Sequence, residues 1–135
     1  MIDTTTNTVI ATIPVGNDPT LMAVAPNGSR VYVANSNSDT VSVIDTATNT
    51  VIATIRVGKI EVASGVAVAP NGRYVYVSNL DLATGTVGVL SVIDTVTNTL
   101  VTATPAGPKT GFVAVTTRNV YVTNVGSNTV SVIDT

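Results

Sequence analysis

The stretch IDTATNTVIATI at residues 44–55 recurs almost unchanged at residues 2–13, where the chain reads IDTTTNTVIATI. The two copies differ at one position in twelve. Each copy passes from Ile-Asp through a polar segment ending in Asn into a run rich in β-branched residues, which is the composition of a turn followed by a strand. The repetition predicts a chain assembled from copies of one structural unit.

Two motifs give the length of this unit. VIDT and VYV-x-N each occur three times, the first at residues 43–46, 92–95 and 132–135 and the second at 31–35, 75–79 and 120–124. A period of 40 to 50 residues is typical of propeller blades or helical arrays and is too long for short-rung solenoids. Because no window has apolar residues at the i, i+3, i+4 and i+7 spacing over helix length, a helical array is excluded.

Each period divides into four short β-like segments. The residues Pro26-Asn27-Gly28 favour a hairpin between the first two, because Pro fixes φ at the second turn position and Gly accepts a positive φ. In the first complete unit the four segments are Leu21–Ala25, Arg30–Ala34, Thr40–Ile44 and Thr50–Val57.

The third segment places Val41, Val43 and Ile44 on both of its faces, as expected for a sheet packed between two others. We therefore predict an all-β protein, a β-propeller of four-stranded antiparallel blades with about three blades in this chain. Residues 1–135 form one repeat region, whose parts are an outer strand with the end of its neighbour at 2–15, complete blades at 20–57 and 64–105, and three inner strands at 111–135.

Three blades fall short of the four to eight of a closed propeller, and an open arc exposes apolar faces and unpaired strand edges. Two solutions stay open. Copies of the chain close a ring together, with Thr8–Val15 of one chain completing the blade of Gly111–Asp134 in another; here we expect a six-bladed homodimer before a homotrimer. Alternatively, the chain is a fragment of a longer propeller, either a truncated product or a designed excerpt.

The composition excludes several classes of function. Hydrophobic residues make up 44% of the chain and charged residues only 10%, with a net charge of −2, so no basic patch for nucleic acid is expected. The chain has no Cys and no His, which excludes disulfides, thiolate or histidine metal sites and a Ser-His-Asp triad within it. No apolar run reaches the roughly 20 residues that cross a bilayer, and residues 1–9 do not resemble a signal peptide.

The motifs VYVAN, VYVSN and VYVTN, together with VSVIDTxTNTVIATI and AVAPNG, resemble the repeats of the YVTN family of β-propellers over essentially the whole chain. The family occurs in archaeal surface-layer proteins and in bacterial extracellular or periplasmic proteins. The resemblance therefore implies a propeller that is extracellular, on the cell surface or periplasmic.

Three sets of repeated polar residues are explained by structure better than by chemistry. Asp suits the turn between the third and fourth strands, Tyr lies at the centre of the second strand and packs between blades, and Asn ends that strand, where it makes a turn or lines a polar mouth. The sets are Asp3, Asp45, Asp94 and Asp134, then Tyr32, Tyr76 and Tyr121, and then Asn35, Asn79 and Asn124.

The irregular loops are stronger candidates for a site, because function is usually grafted onto the loops of a scaffold. In a propeller, the loops that lead to the next blade and those between the second and third strands gather on one face around the axis. The loop at residues 80–88 is the longest departure from the repeat. We predict that this rim binds a polar ligand through charges of both signs, on Asp18, Asp39, Lys59, Glu61, Asp81 and Lys109.

These patterns favour a non-enzymatic scaffold or binding module whose ligand is a protein or a carbohydrate. We expect no catalytic residue, no metal and no cofactor. The alternative is a propeller enzyme of the lactonase or quinoprotein-like type, with its site at the axial mouth. Catalysis is disfavoured, because such sites generally need His, metal-binding carboxylates or cofactor-binding residues, and the predicted rim carries few charges.

Overall fold

The structure is a computed structural model, and it describes residues 1–60, 64–80 and 87–135. These residues form strands, turns and bends, with neighbouring strands antiparallel throughout. The predictions of an all-β fold and of four-stranded blades, about three in number, are confirmed. Nothing in the described part of the chain is a helix of the length and hydrophobicity that a membrane crossing requires.

The described residues contain one N-terminal hairpin and three sheets, which we name blades 1 to 3. The hairpin comprises β1 (Ile2–Asp3) and β2 (Thr8–Val9). Blade 1 comprises β3 (Pro19–Val24), β4 (Arg30–Asn35), β5 (Thr40–Asp45) and β6 (Thr50–Arg56). Blade 2 comprises β7 (Val66–Val68), β8 (Tyr74–Leu80), β9 (Val87–Asp94) and β10 (Thr99–Pro108). Blade 3 comprises β11 (Thr110–Val115), β12 (Asn119–Asn124) and β13 (Thr129–Asp134).

Short turns join the strands because their residues accept the left-handed backbone conformation. Gly28 has a φ of 72° between β3 and β4, and its N–H donates to the carbonyl of Ala25 at 2.8 Å. Asn49 has a φ of 56° between β5 and β6, a conformation that Asn tolerates better than most residues. Blade 2 repeats both features at Gly72 and Asn98. The strand order therefore follows from local turn chemistry.

The apolar core lies between adjacent blades. Tyr32, Val41 and Val43 of blade 1 pack with Val75 and Val77 of blade 2 in one buried cluster. Full burial of one such aliphatic side chain contributes about 1.5–3 kcal/mol. Each blade is therefore stabilised mainly by the blade beside it.

A second buried cluster repeats this arrangement between blades 2 and 3. Tyr76 and Leu90 of blade 2 pack there with Val120 and Val122 of blade 3. The outer faces of the stack have no such cover in the described part of the chain. Met22 and Val24 of blade 1, and Phe112, Val130 and Val132 of blade 3, are exposed.

The N-terminal segment lies against the outer face of blade 1. Ile13 and Val15 line an apolar cavity of about 350 Å³ together with Met22 and Val33 of that blade. β2 covers only Thr8–Val9, and residues 10–15 belong to no strand. The segment 8–15 is therefore not the continuous outer strand that the sequence predicts, because the strand beside it, β1, offers a ladder of only two residues.

Candidate functional site

The loops that lead into a blade adjoin the loops between its second and third strands. In blade 1, the N–H of Ser36 donates to the carbonyl of Asp18 at 2.9 Å, and the N–H of Asn17 donates to the Ser38 hydroxyl at 2.7 Å. In blade 3, the N–H of Val125 donates to the carbonyl of Lys109 at 2.9 Å. We call residues 16–19, 36–39, 57–60, 107–110 and 125–128 the rim.

Asp39 connects the rim of blade 1 to the segment that enters blade 2. Its carbonyl accepts the N–H of Val57 at 3.0 Å, and its Oδ1 accepts the N–H of Ile60 at 3.2 Å. Ile60 is itself buried in the cluster between the two blades. The rim loops of successive blades are thus held together by hydrogen bonds.

A buried Asn lies beneath the rim in each blade. Asn35 Nδ2 donates to the hydroxyls of Thr40 at 3.2 Å and Ser42 at 3.0 Å. Asn124 makes the matching bonds to Thr129 and Ser131. These Asn side chains are buried and join the two strands on either side of a turn, β4 to β5 and β12 to β13, so they do not line an open mouth.

The Asn of blade 2 shows what the amide oxygen does. In the amide orientation that satisfies both atoms, Asn79 Nδ2 donates to Ser91 Oγ at 3.0 Å and Oδ1 accepts the N–H of Gly58 at 3.0 Å. Gly58 belongs to the loop that leads from blade 1 into blade 2. This Asn therefore ties its own blade to the incoming loop, and we call the arrangement the Asn–Gly latch.

In blades 1 and 3 the residue that faces the buried Asn must also be a glycine. A Cβ at Gly16 would lie 2.7 Å from the amide carbon of Asn35, and one at Gly107, where φ is 130°, would collide with the side chain of Asn124. This contact was missed from the sequence, where the Asn residues were interpreted as turn-forming or as lining a polar mouth. Its signal was their common spacing, since Gly16, Gly58 and Gly107 each precede the Asn of the next blade by 17 to 21 positions.

Four of the six charged residues predicted for the site lie in the rim, two of them Asp and two of them Lys. Asp18 Oδ2 accepts the Ser36 hydroxyl at 2.6 Å, and Asp39 Oδ1 accepts the N–H of Ile60, so each carboxylate has one oxygen bonded to the rim itself. Lys59 and Lys109 are exposed. The other two predicted residues, Glu61 and Asp81, lie outside the described residues, as does most of the long loop at residues 80–88.

The repeated Asp residues build turns, as predicted. Asp45 Oδ1 accepts the N–H groups of Ala47 at 3.0 Å and Thr48 at 2.9 Å. The hydrogen bond from the Thr48 N–H is the main reason that the pKa of Asp45 lies below its ordinary value. The hydrogen bond from the N–H of Thr97 lowers the pKa of Asp94 in the same way.

The repeated Tyr residues pack between blades, as predicted for Tyr32 and Tyr76, which are both buried. Burial raises the pKa of the Tyr76 hydroxyl. Tyr121 is 38% exposed because no blade covers it in the described part of the chain. Its exposure marks the open end of the stack.

A cleft on the side opposite the rim was missed from the sequence. It has a volume of about 630 Å³ and lies between the Pro-Asn-Gly turns of blades 1 and 2, with Arg30 in its wall. Arg30 Nη1 donates to the carbonyl of Thr95 and to Asn98 Oδ1, the latter at 3.4 Å. The guanidinium therefore links blade 1 to the last turn of blade 2.

Neither the rim nor the cleft supplies an evident metal site. Within residues 1–60, 64–80 and 87–135, no group of three or more His, Cys, Asp or Glu side chains could hold a metal ion. The arrangement that is described can instead donate and accept hydrogen bonds at the rim.

Solved structures with similar folds include β-propellers of several kinds. The Kuenenia stuttgartiensis hydrazine synthase is 27% identical, with a TM-score of 0.83 over 98% of this chain and 38% of its own. A proposed 6-phosphogluconolactonase of Bacteroides fragilis is 22% identical, with a TM-score of 0.71 over 88% of this chain and 35% of its own. The β-propeller domain of Myceliophteria thermophila Cps50 is 10% identical, with a TM-score of 0.63 over 90% of this chain and 40% of its own.

These comparisons define the class of the protein, a partial β-propeller of about three blades. The chain spans less than half the length of each of these three structures. No protein-family model and no curated protein sequence matches it.

The prediction of a non-enzymatic protein is contradicted, because the similar structures include an enzyme, hydrazine synthase, and a proposed lactonase. The prediction was wrong because it considered only the residues of this chain, which form part of a propeller ring. In a closed ring the axial mouth is lined by the loops of every blade, and this chain carries about three of them. A shortage of His and charge in one sector therefore says little about catalysis by the ring.

Proposed function

We propose that the chain is a sector of a propeller enzyme, and that its rim forms part of an axial mouth which binds a small, sugar-like substrate. The observation that carries the proposal is the continuous hydrogen bonding of the rim from blade 1 to blade 2 through Asp39. Loops fixed to one another and to the buried Asn–Gly latch provide the rigid support that a binding site needs. The enzymes among the similar structures support the catalytic part of the proposal.

The rim offers complementary groups for such a substrate. Asp18 uses one carboxylate oxygen for the Ser36 hydroxyl, and Asp39 uses one for the N–H of Ile60. Within residues 1–60, 64–80 and 87–135 no bond is seen to the second oxygen of either side chain, so each could accept a bond from a sugar hydroxyl. Lys59 and Lys109 are exposed ammonium groups that can donate to a carboxylate or phosphate.

The lactonase-like neighbour supplies the first reaction to test, the hydrolysis of a sugar lactone. Water adds to the lactone carbonyl carbon, the ring C–O bond breaks, and the product is the hydroxy acid. An open-ring acid carries one more negative charge than the lactone. Lys59 and Lys109 would therefore bind the product of 6-phosphogluconolactone hydrolysis as well as the substrate.

The test uses purified full-length protein with 6-phosphogluconolactone and with δ-gluconolactone, and follows acid release in a weak buffer. We expect hydrolysis above the spontaneous rate, and a loss of kcat/KM of about a hundredfold or more in the double variant Lys59→Gln/Lys109→Gln, since each of the two charge-assisted bonds is worth roughly 1.5–3 kcal/mol. Arg118→Gln is the matched control, because Arg118 is an exposed cation in the turn between β11 and β12, away from the rim. Spontaneous rates for both lactones, with no thermal shift by 6-phosphogluconate, would contradict the proposal.

The repeat motifs support two narrower proposals. We propose that the blades are repeats of the YVTN type, on the strength of VYVAN, VYVSN and VYVTN. By the same resemblance the protein would be extracellular, on the cell surface or periplasmic. Immunodetection in fractions of the source cells tests this location, and detection in the cytoplasm alone would contradict it.

A further inference from the structure

Two strands that pair inside blade 1 are duplicated at opposite ends of the chain. β5 reads TVSVID at residues 40–45, and β13 reads the same six letters at residues 129–134. The first six residues of β6 read TVIATI at residues 50–55, and residues 8–13 repeat them without a change. The chain thus holds a second complete set of the β5–β6 sequences whose two halves are far apart along the chain.

In blade 1 these two sequences form an antiparallel ladder with one register shift, between Val43 and Ile44. Val43 lies opposite Ala53 and Val41 lies opposite Ile55. In the second set this ladder is missing from the described structure. β13 pairs only with β12, and residues 10–13 lie outside every strand.

Blades 1 and 3 also differ in how far the corresponding face of each is buried. Val41, Val43 and Tyr32 are 0%, 0% and 1% exposed, because blade 2 covers them. Their counterparts on blade 3, Val130, Val132 and Tyr121, are 55%, 58% and 38% exposed. Blade 3 therefore presents the face that blade 1 buries against its neighbour.

Blade 1 lies at the opposite end of the stack, and its outer face corresponds to the face of blade 2 that packs against blade 1. Val66 and Val68 of blade 2 pack against blade 1 in the buried cluster. Their counterparts on blade 1 are Met22 and Val24, which are 67% and 56% exposed. The outer face of blade 3 and the outer face of blade 1 are thus the two halves of an interface that already exists between blades 1 and 2.

We propose that a second copy of this chain completes that interface by strand exchange. Residues 8–13 of one copy pair with β13 of the other in the register of β5 and β6, which sets Ala11 opposite Val132 and Thr8 opposite Asp134. The outer face of blade 3 then covers the outer face of blade 1 in the partner. Two such junctions close a two-fold ring of six blades, a number within the usual range, and this closure does not depend on the ligand of the rim.

The N-terminal hairpin competes with this exchange. Ile2 and Asp3 pair with Val9 and Thr8, and Ile133 and Asp134 of the partner would take the same places. The Met1 ammonium also donates to the carbonyl of Ala11 at 2.6 Å. The hairpin ladder has two residue pairs, whereas residues 50–55 of β6 make five pairs with β5, so exchange replaces a short ladder with a longer one.

A disulfide tests the register, since the natural chain has no Cys. In the variant Ala11→Cys/Val132→Cys, mild oxidation is expected to give a species of twice 13.7 kDa on a non-reducing gel, and peptide mass spectrometry should find the two introduced cysteines linked to each other. Ala11→Cys/Thr129→Cys is the matched control, because Thr129 lies in β13 three positions out of register and should cross-link far less. Equal cross-linking of the two variants, a link within one chain, or a monomer in sedimentation would each overturn the proposal.

A second variant tests the competition and leaves the exchanged strand intact. Ile2→Gly/Asp3→Gly weakens β1, so the dissociation constant of the dimer should fall, as measured by dilution in analytical ultracentrifugation. Deletion of residues 1–15 should instead abolish the dimer. An unchanged or raised dissociation constant in the glycine variant would contradict the proposed competition, and a dimer that survives the deletion would contradict strand exchange. Lactone hydrolysis, tested separately above, is not a readout of either outcome.

Discussion

The paired strands β5 and β6 share their sequences with two segments that do not pair with each other in the described structure, β13 and residues 8–13. Val43 lies opposite Ala53 in a sheet that blade 2 covers, whereas Val132, its counterpart in β13, is 58% exposed at an open edge. β5 and β13 are both six-residue strands paired with the second strand of their blade. The local sequence therefore determines the strand, and the neighbouring blade determines whether its side chains are buried.

The largest expected effect comes from a charge placed at these two valines. Val43→Asp puts an unpaired carboxylate in the cluster between blades 1 and 2, and we expect a loss of at least about 4 kcal/mol in the free energy of unfolding. Val132→Asp should change it by less than about 0.5 kcal/mol in dilute monomer, because its site is exposed. Urea unfolding followed by circular dichroism measures both.

The two variants also separate stability from association. Val132→Asp should abolish the dimer while the monomer stays folded, since the carboxylate would lie at the proposed junction. A destabilisation of similar size in both variants would mean that the exposed face of blade 3 is covered within the monomer. That result would show that Val43 and Val132 do not differ in burial in the monomer.

A smaller effect is expected at the buried Asn that ends the second strand in each of the same two blades. Asn35→Ala leaves the hydroxyls of Thr40 and Ser42 without their donor in a buried site, so we expect a loss of about 2 kcal/mol. Asn124→Ala should cost about 1 kcal/mol, because its partner Thr129 is exposed and water can replace the lost bond. Equal losses, measured as urea midpoints at constant m-value, would show that the Asn124 hydrogen bonds of blade 3 are as well protected from water as the Asn35 hydrogen bonds of blade 1.

Much of this fold was predictable because its signals are local. Pro26-Asn27-Gly28 determines one hairpin, and Asp45 together with Asn49 determines another, so strand order could be read from turns. The burial of Tyr32 was predictable from its place between two β-branched residues. The exposure of Tyr121, in the same motif, was not, because it depends on which blade lies beside it.

The candidate site was less predictable because it depends on contacts between distant parts of the chain. Asp39 was predicted to bind a ligand because of its charge. In the structure its backbone carbonyl also accepts the N–H of Val57, and its Oδ1 accepts the N–H of Ile60. Arg30 was not selected, although it links two blades across 65 positions of sequence to Thr95. The residue types suggested chemistry at the rim, but only the tertiary structure shows which of their atoms are already used.

The smallest expected effect is a pH dependence of stability. It compares the Asp-containing turn of blade 1 with the same turn in the N-terminal hairpin. The Asp45 carboxylate in blade 1 accepts the N–H groups of the β5–β6 turn, and Asp3 accepts those of Thr5 and Thr6 in the N-terminal hairpin. Both pKa values are lowered, mainly by the N–H of Thr48 for Asp45 and by that of Thr5 for Asp3. A carboxyl whose pKa is lower in the folded state stabilises the fold above its unfolded pKa of about 3.9, and this contribution disappears as the pH falls through the folded pKa.

Asp45→Asn should therefore lower the urea midpoint at pH 7, and the difference from the unsubstituted protein should shrink as the pH falls below about 4. Asp3→Asn should leave the midpoint unchanged at every pH, because a two-residue ladder can open without unfolding the blades. If Asp3→Asn produces the same pH-dependent loss as Asp45→Asn, the hairpin unfolds cooperatively with the blades. The N-terminal strand would then be held as firmly as β6, and the competition proposed for β1 would have to be stronger than its two residue pairs imply.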